Sequence, residues 1–372
     1  MRIAVVAPLT APLLERSARG NHQVLLDVAR GLRDRGHDVT VFCRQGSDVS
    51  GVRLEEVRVD EEQAQPAHAD RETTPVERDM LKRGYEAVFD RIRAFRPDVV
   101  SQHAFDADAV RAASGLATVH TLHVPPIVPD VVQALGECGQ PLAAVSRDAQ
   151  WRWAEAGVKV GLLRNGVPDP LDDGDLPPRE ERDSSAVVAG RICPEKGTVA
   201  GIRAAIRAGL KADVVGTVDD REYFEREVAP QLGTGSATLR GALSRRELAD
   251  VLLHAEVALM PVDWDEPFGL VAAEAQMVGC PVVAYNRGAL PEIVEHGSSG
   301  WIVPAGDESA LVGAAAAASS LPRHEIRRSA QRRLHVDAMI DAYEAALTAA
   351  IEGGGSPASG DAAALLIEAR PI

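Results

Sequence analysis

Apolar positions in the first half of the chain fall into short continuous runs separated by stretches with helical spacing. Residues 2–6 (RIAVV) form a β-branched apolar run, and Val24, Leu25, Val28 and Leu32 mark one helical face over 24–35 before Gly36 stops the pattern. Residues 38–42 (DVTVF) read as the next strand, so the first forty residues predict one strand–helix–strand unit of a parallel sheet. Further strands are predicted at 98–101, 117–122 and 142–145, with a helix over 76–95. Near Asn165 the pattern breaks. Residues 168–185 (PDPLDDGDLPPREERDSS) carry proline and charge with few core-forming positions and read as a linker. Residues 186–189 (AVVA) then restart the cycle of strand, Gly190-Arg191 turn, helix from about Thr198 and strand at 213–215.

The pattern predicts an α/β protein of two doubly wound, Rossmann-like parallel-sheet halves, residues 1–167 and 186–335. Such sheets bind ligands beyond the carboxyl ends of their strands, so two halves offer two crevices facing across a cleft. A flexible tail is expected over 353–372, which opens with GGGSPASG.

At 372 residues the chain is long enough for two domains, and 45% hydrophobic residues supply their cores. The net charge of −15 argues against nucleic acid or an anionic membrane as partner. The locally basic ARGLRDRGH (29–37) reads as the solvated face of a helix. Cys43, Cys138, Cys193 and Cys280 are dispersed without a CxxC pair, which predicts neither a zinc ribbon nor a disulfide framework and suits a reducing compartment. With no signal-like segment and no apolar run of about 18 residues, the expected location is cytoplasmic.

Two stretches carry candidate chemistry. In VAGRICPEKG (188–197) a strand gives way to a helix, Gly190 allows close backbone approach, and Arg191 and Lys196 supply two cations suited to a diphosphate. In WDEPFGLVAAEAQMVGCPVVA (264–284), Pro267 and Gly269 force a turn before a helix whose free N–H groups favour negative charge. Glu266 lies just outside that helix end, where it can accept hydrogen bonds from sugar hydroxyls. Glu274, one turn inside, can hold the vicinal hydroxyls of a ribose. The DxD pairs Asp106/Asp108 and Asp263/Asp265 read as helix-start acids and loop polarity, so no metal ligand is assigned.

GRICPEKG, VVGTVDDREYF (214–224), GALSRRELADVLLHAEV (241–257), PVDWDEPFGLVAAEAQMVGCPVVA (261–284) and RGALPEIVEHGSSGWIVP (287–304) together resemble the retaining glycosyltransferases of family four. The resemblance covers nearly the whole chain and is densest over 186–304. It implies the GT-B fold, with helix 336–352 packing back towards the first domain, and transfer of a hexose-type sugar from a nucleotide-diphosphate sugar. Arg191 and Lys196 would hold the diphosphate, Glu266 would face the donor sugar and Glu274 the ribose. Phe268, Gly269 and Leu270 would meet sugar or phosphate, Leu243 the base, and Gly20 and Gly190 would let the backbone approach. ATVHTLHVPP (117–126) is similar to the family's strand ending in a histidine near the reacting sugar, implying that role for His123, with His120 as rival. Asn21 and His22 are candidates for the acceptor side. The chain departs from the family at Arg19-Gly20, where a glycine pair is usual, and at Pro168, where the hinge signature LLRNGV usually continues with aspartate.

The resemblance further implies retention by same-face attack, stabilisation of the leaving diphosphate by Arg191, Lys196 and helix amides, and no required metal. The implied donor is a UDP, GDP, ADP or dTDP sugar, its base left open, and only 14 aromatic residues favour a small soluble acceptor, such as a natural product or metabolite. Alternatives are a nucleotide-sugar epimerase of the same fold, which needs no acceptor, or a non-catalytic nucleotide-sugar-binding subunit. A dinucleotide oxidoreductase is disfavoured, since no GxGxxG follows either leading strand.

Overall fold

The computed structural model describes residues 1–16, 19–59, 74–171, 174, 176–233 and 235–353. The expected tail beyond Gly353, and Asp172, Asp173 and Asp175 of the expected linker, lie outside the described residues. The chain divides into two units. One takes residues 1–15, 21–164 and the chain from Met339; the other takes residues 16–20 and 165–338.

The first unit holds strands β1 (Arg2–Val6), β2 (Asp38–Arg44), β3 (Arg53–Val57), β4 (Val99–Gln102), β5 (Thr118–Leu122), β6 (Leu142–Ala144) and β7 (Gly161–Leu162). All pair in parallel in the order β3-β2-β1-β4-β5-β6-β7. The central β1 shows why its sequence is a continuous apolar run: Ile3, Ala4, Val5 and Val6 are all fully buried, covered on both faces. The first helix spans Gly20–Asp34, starting four residues before the apolar pattern because its opening turn is largely polar. Helix Pro75–Phe95 begins at a capping box, in which the Thr74 hydroxyl accepts from Glu77 N and the Glu77 carboxylate accepts from Thr74 N. Helix Val336–Glu352 contributes Tyr343, fully buried in this unit, whose hydroxyl donates to Thr121 Oγ1 on β5 at 3.1 Å.

The second unit holds β8 (Ser185–Ala189), β9 (Lys211–Val215), β10 (Ala237–Gly241), β11 (Val257–Met260), β12 (Val282–Tyr285) and β13 (Gly300–Val303), again all parallel, in the order β10-β9-β8-β11-β12-β13. Val188, Ile202, Val214, Leu259, Val283 and Leu311 belong to one apolar core on this sheet. A buried guanidinium ties it further: Arg323 donates to the carbonyls of Gly279, Ala255 and Leu253 at 2.8–2.9 Å, close to the ends of helices Arg245–His254 and Leu270–Met277. Within the polar stretch 168–185, the Asp169 carboxylate accepts from Arg327 Nη1 at 2.7 Å and Gln331 Nε2 at 2.9 Å.

Candidate functional site

At the carboxyl end of β8, Gly190 takes φ +152° and donates its N–H to Val215 O on β9 at 2.9 Å. The chain leaves the sheet there, passes the short turn Pro194–Lys196 and enters helix Thr198–Arg207. Arg191 is held between two acids: Nη1 donates to Asp219 Oδ2 at 2.8 Å, and Nη2 donates to Glu195 Oε1. Burial alone would lower its pKa, but the hydrogen bond to Asp219 and the nearby Cys193, Glu195 and Asp219 hold it above the usual arginine value.

Lys196 reaches the second motif. Its Nζ lies 2.7 Å from Glu266 Oε2 and 4.4 Å from the centre of the Trp264 ring, and Trp264 Nε1 donates to the same carboxylate oxygen at 2.8 Å. The two loops are also joined through backbone, since Asp263 N donates to Glu195 O at 2.7 Å. Glu266 is fixed from behind by Ala289 N, which donates to its carbonyl at 2.8 Å. Gly288 packs so closely that a Cβ there would lie 2.3 Å from Glu266 O.

Helix Leu270–Met277 follows, with Gly269 in the left-handed region (φ 94°) at its N-cap and no side chain capping it. Its first amides have no intrahelical acceptor, which makes this end a place for negative charge. Phe268 and Gly269 are buried and Leu270 half-buried. Glu274, one turn in, accepts from Arg245 Nε at 2.8 Å. Arg245 is the first residue of helix Arg245–His254, capped by Ser244, and the half-buried Leu243 immediately precedes that cap. One turn therefore carries both Leu243 and the partner of Glu274.

The structure thus brings Gly190, Arg191, Lys196, Glu266, Phe268, Gly269 and Leu270 onto two loops joined by hydrogen bonds. It also answers each charged candidate with a counter-ion that spacing did not reveal: Asp219 and Glu195 for Arg191, and Arg245 for Glu274. Asp263 pairs with Arg287 at 2.7 Å. Asp106 precedes helix Ala107–Ala112, yet its carboxylate accepts from Tyr85 Oη at 2.5 Å instead of capping the helix. Among the described residues, no group of three or more His, Cys, Asp or Glu side chains is arranged to hold a metal ion.

In the first unit the ends of β4 and β5 carry histidines. Ser101 is on β4 and His103 just beyond it; Thr121 is on β5 and His123 just beyond it. Ser101 Oγ and His103 Nε2 are 2.9 Å apart, and His103 Nδ1 and His123 Nε2 are 2.8 Å apart. The Tyr343 ring stacks on His103, 5.8 Å between centres and 11° from parallel. Burial lowers His123 to about 4, and burial together with the neighbouring His123 lowers His103 well below the usual histidine value. His120 faces elsewhere, bonded to Gln140 Oε1 at 2.7 Å, and burial takes it to about 4 as well. Gly20 opens the first helix, Asn21 Oδ1 accepts from His22 N at 3.1 Å, and His22 is 1% exposed. Sequence reasoning missed His103; a histidine ending the strand beside β5 was the available signal.

Two family models match the chain: Glycosyltransferase Family 4 over residues 19–169, and Glycosyl transferases group 1 over residues 177–333. The chain is 28% identical over 377 residues to the D-inositol 3-phosphate glycosyltransferase of Acidothermus cellulolyticus, covering 84% of this chain and 81% of that protein. Its fold is similar to that of sucrose-phosphate synthase from Thermosynechococcus elongatus, with a TM-score of 0.74 at 18% identity, over 92% of this chain and 97% of that one. It is also similar to Anabaena Alr3699/HepE in complex with UDP-glucose, with a TM-score of 0.70 at 18% identity, over 94% and 99% of the two chains. Two all-parallel α/β sheets, the linked Arg191–Lys196 and Glu266 loops and both family matches lead to one conclusion: the chain belongs to the glycosyltransferases of the family-four type, with the GT-B fold.

Proposed function

We propose that this glycosyltransferase moves a hexose-type sugar from a nucleotide-diphosphate sugar to a hydroxyl of a small soluble acceptor, with retention of configuration and without a metal ion. The observation that carries this reading is the joining of the Arg191–Lys196 turn to the Glu266 turn beside the N-terminus of helix Leu270–Met277. Two cations and a set of helix amides suit a diphosphate, both as bound ligand and as leaving group. Glu266 receives sugar hydroxyls, Glu274 the ribose, and Leu243 borders the base. His123 serves the sugar, and Asn21 and His22 the acceptor.

In this reading the ligand replaces internal partners: sugar hydroxyls compete with Lys196 and Trp264 for Glu266, and a ribose competes with Arg245 for Glu274. Same-face attack needs no nucleophile from the protein, so catalysis rests on charge stabilisation and positioning. The UDP-glucose held by HepE and the phosphorylated cyclitol in the name of the A. cellulolyticus relative support UDP sugars and small polyols or their phosphates as first substrates to assay.

The test is thermal unfolding with UDP, GDP, ADP and dTDP, with Glu274→Ala as control. A ligand at about a hundred times its Kd adds roughly 2.7 kcal/mol, enough to raise the Tm by several degrees. One nucleotide should stabilise the wild type and not the variant. Incubation of the matching nucleotide sugar without acceptor then separates transfer from epimerisation, because an epimerase needs no acceptor to form the epimeric sugar, whereas a transferase can at most hydrolyse the donor. Stabilisation by none of the four, with no turnover of their sugars, would sink the donor assignment.

A further inference from the structure

The serine and two histidines at the ends of β4 and β5 form a hydrogen-bonded chain whose direction can be derived. Ser101 is fully buried and His103 is 1% exposed. Both rings are neutral near pH 7, since burial lowers both. A neutral imidazole has one N–H and one bare nitrogen, so the two contacts allow two proton arrangements.

In one, His123 Nε2–H donates to His103 Nδ1 and His103 Nε2–H donates to Ser101 Oγ. The buried Ser101 hydroxyl hydrogen is then left without an acceptor, because its side chain has no other partner among the described residues. An unsatisfied buried donor of this kind disfavours the arrangement that leaves it so. In the other, Ser101 O–H donates to His103 Nε2, and His103 Nδ1–H donates to His123 Nε2. Every buried donor of the chain is then satisfied. Only the second arrangement meets the rule that buried donors are paired.

We infer that Ser101 and His103 are positioning residues that lock His123 in its Nδ1–H tautomer, so that it presents a fixed hydrogen-bond donor to a lone-pair oxygen of the sugar. His123 Nδ1 has no protein partner among the described residues and is not sealed from solvent, so it is the open end of the chain. The Tyr343 ring stacked on His103 holds the middle imidazole in place and covers it. With its Nε2 already accepting from His103, His123 has no bare nitrogen to offer as a base. The identity of the sugar as its target rests on the proposed function; the tautomer does not.

The tautomer is read directly by nitrogen NMR of the full-length protein labelled with 15N-histidine, with His103→Asn and His123→Asn used to assign the two rings. The expected spectrum shows both as Nδ1–H. Ser101→Ala should release His103 into a mixture and shift His123 with it, while Ser101→Thr, which keeps the hydroxyl, should preserve the wild-type pattern. A wild-type His123 carrying its proton on Nε2, or a His123 signal unmoved by Ser101→Ala, overturns the inference.

Binding of UDP-glucose against UDP tests the target separately. His103→Phe fills the space without donating and should lower UDP-glucose affinity about ten-fold while leaving UDP unchanged, and His103→Asn, which restores an N–H, should recover most of it. If His123→Ala binds UDP-glucose as the wild type does, the sugar-facing role of His123 falls, and the NMR result still decides the chain.

Discussion

Lys196 and Glu266, seventy positions apart, form an ion pair of 2.7 Å in which both side chains are mostly buried, with the Trp264 ring against the ammonium and its indole N–H on the same carboxylate. Loss of either partner should therefore act on different steps. Lys196→Ala, like Arg191→Ala, removes charge stabilisation from the leaving group and should lower kcat by about ten to a thousand-fold, or roughly 1.4–4 kcal/mol. Steady-state turnover measures this, and near wild-type rates in both variants would exclude the diphosphate role.

Glu266→Gln should do the opposite to the nucleotide alone. It frees Lys196 from a competing carboxylate while keeping a similar shape, so the diphosphate should bind more tightly, by about 1 kcal/mol or five-fold, even as transfer slows. Titration calorimetry with the nucleoside diphosphate reads this, and weaker binding in the variant contradicts the competition.

Gly288→Ala tests how Glu266 is supported. The backbone at 288 has φ 53°, and the new methyl group would meet Glu266 O at 2.3 Å and Glu266 N at 2.4 Å. The expected cost is about 1–3 kcal/mol of stability, together with a kcat defect out of proportion to it because the carboxylate is displaced. Unfolding and kinetics on the same preparation separate the two effects.

Arg323→Ala should weaken the second unit without touching the Lys196–Glu266 loops. Its guanidinium donates to several buried carbonyls, and truncation leaves them unsatisfied at a cost of about 2–4 kcal/mol. Chemical denaturation should show the loss, with per-molecule activity of the folded fraction retained.

Acid should destabilise the first unit through its histidines. His120 and His123 fall to about 4 in the fold through burial, and His103 falls well below its usual value, so the unfolded chain takes up protons first as pH drops below about 6.5. Their contribution is complete above that pH and is lost as pH falls, at most about 3 kcal/mol for His120 and for His123 as pH approaches 4. Asp106, raised to about 6 by burial against the lowering bond from Tyr85, acts in the opposite sense, so the wild-type profile is a sum. The clean readout is His120→Gln, which keeps a donor for Gln140: its melting temperature should fall less than the wild type's between pH 7.5 and 5. Parallel profiles would contradict the burial argument.

Much of this architecture is legible in the residues. A strand such as β1, buried on both faces, is written as an unbroken apolar run, and the Gly190 turn and the Gly269 cap sit where strand hands over to helix. The partners were not legible. Asp219 reaches Arg191 from 28 positions away and Arg245 reaches Glu274 from 29, because the strands of a parallel sheet, adjacent or not, deliver their loops to the same end. Periodicity reports which face of an element is buried; it does not report which neighbouring loop closes over it. His103 was hidden for the same reason, its meaning set by Ser101 two residues before it and by rings from β5 and the C-terminal helix.

Tyr343 gives the first unit an order of assembly. Synthesis completes residues 1–164 early, but the aromatic ring that covers His103 and bonds Thr121 emerges only after the whole second unit, residues 165–338, has been made. The half translated first is thus the half finished last, and the intervening sheet can close its core on the ribosome while its predecessor still waits for a helix. A chain released before residue 343 would carry a complete second sheet and an uncovered His103.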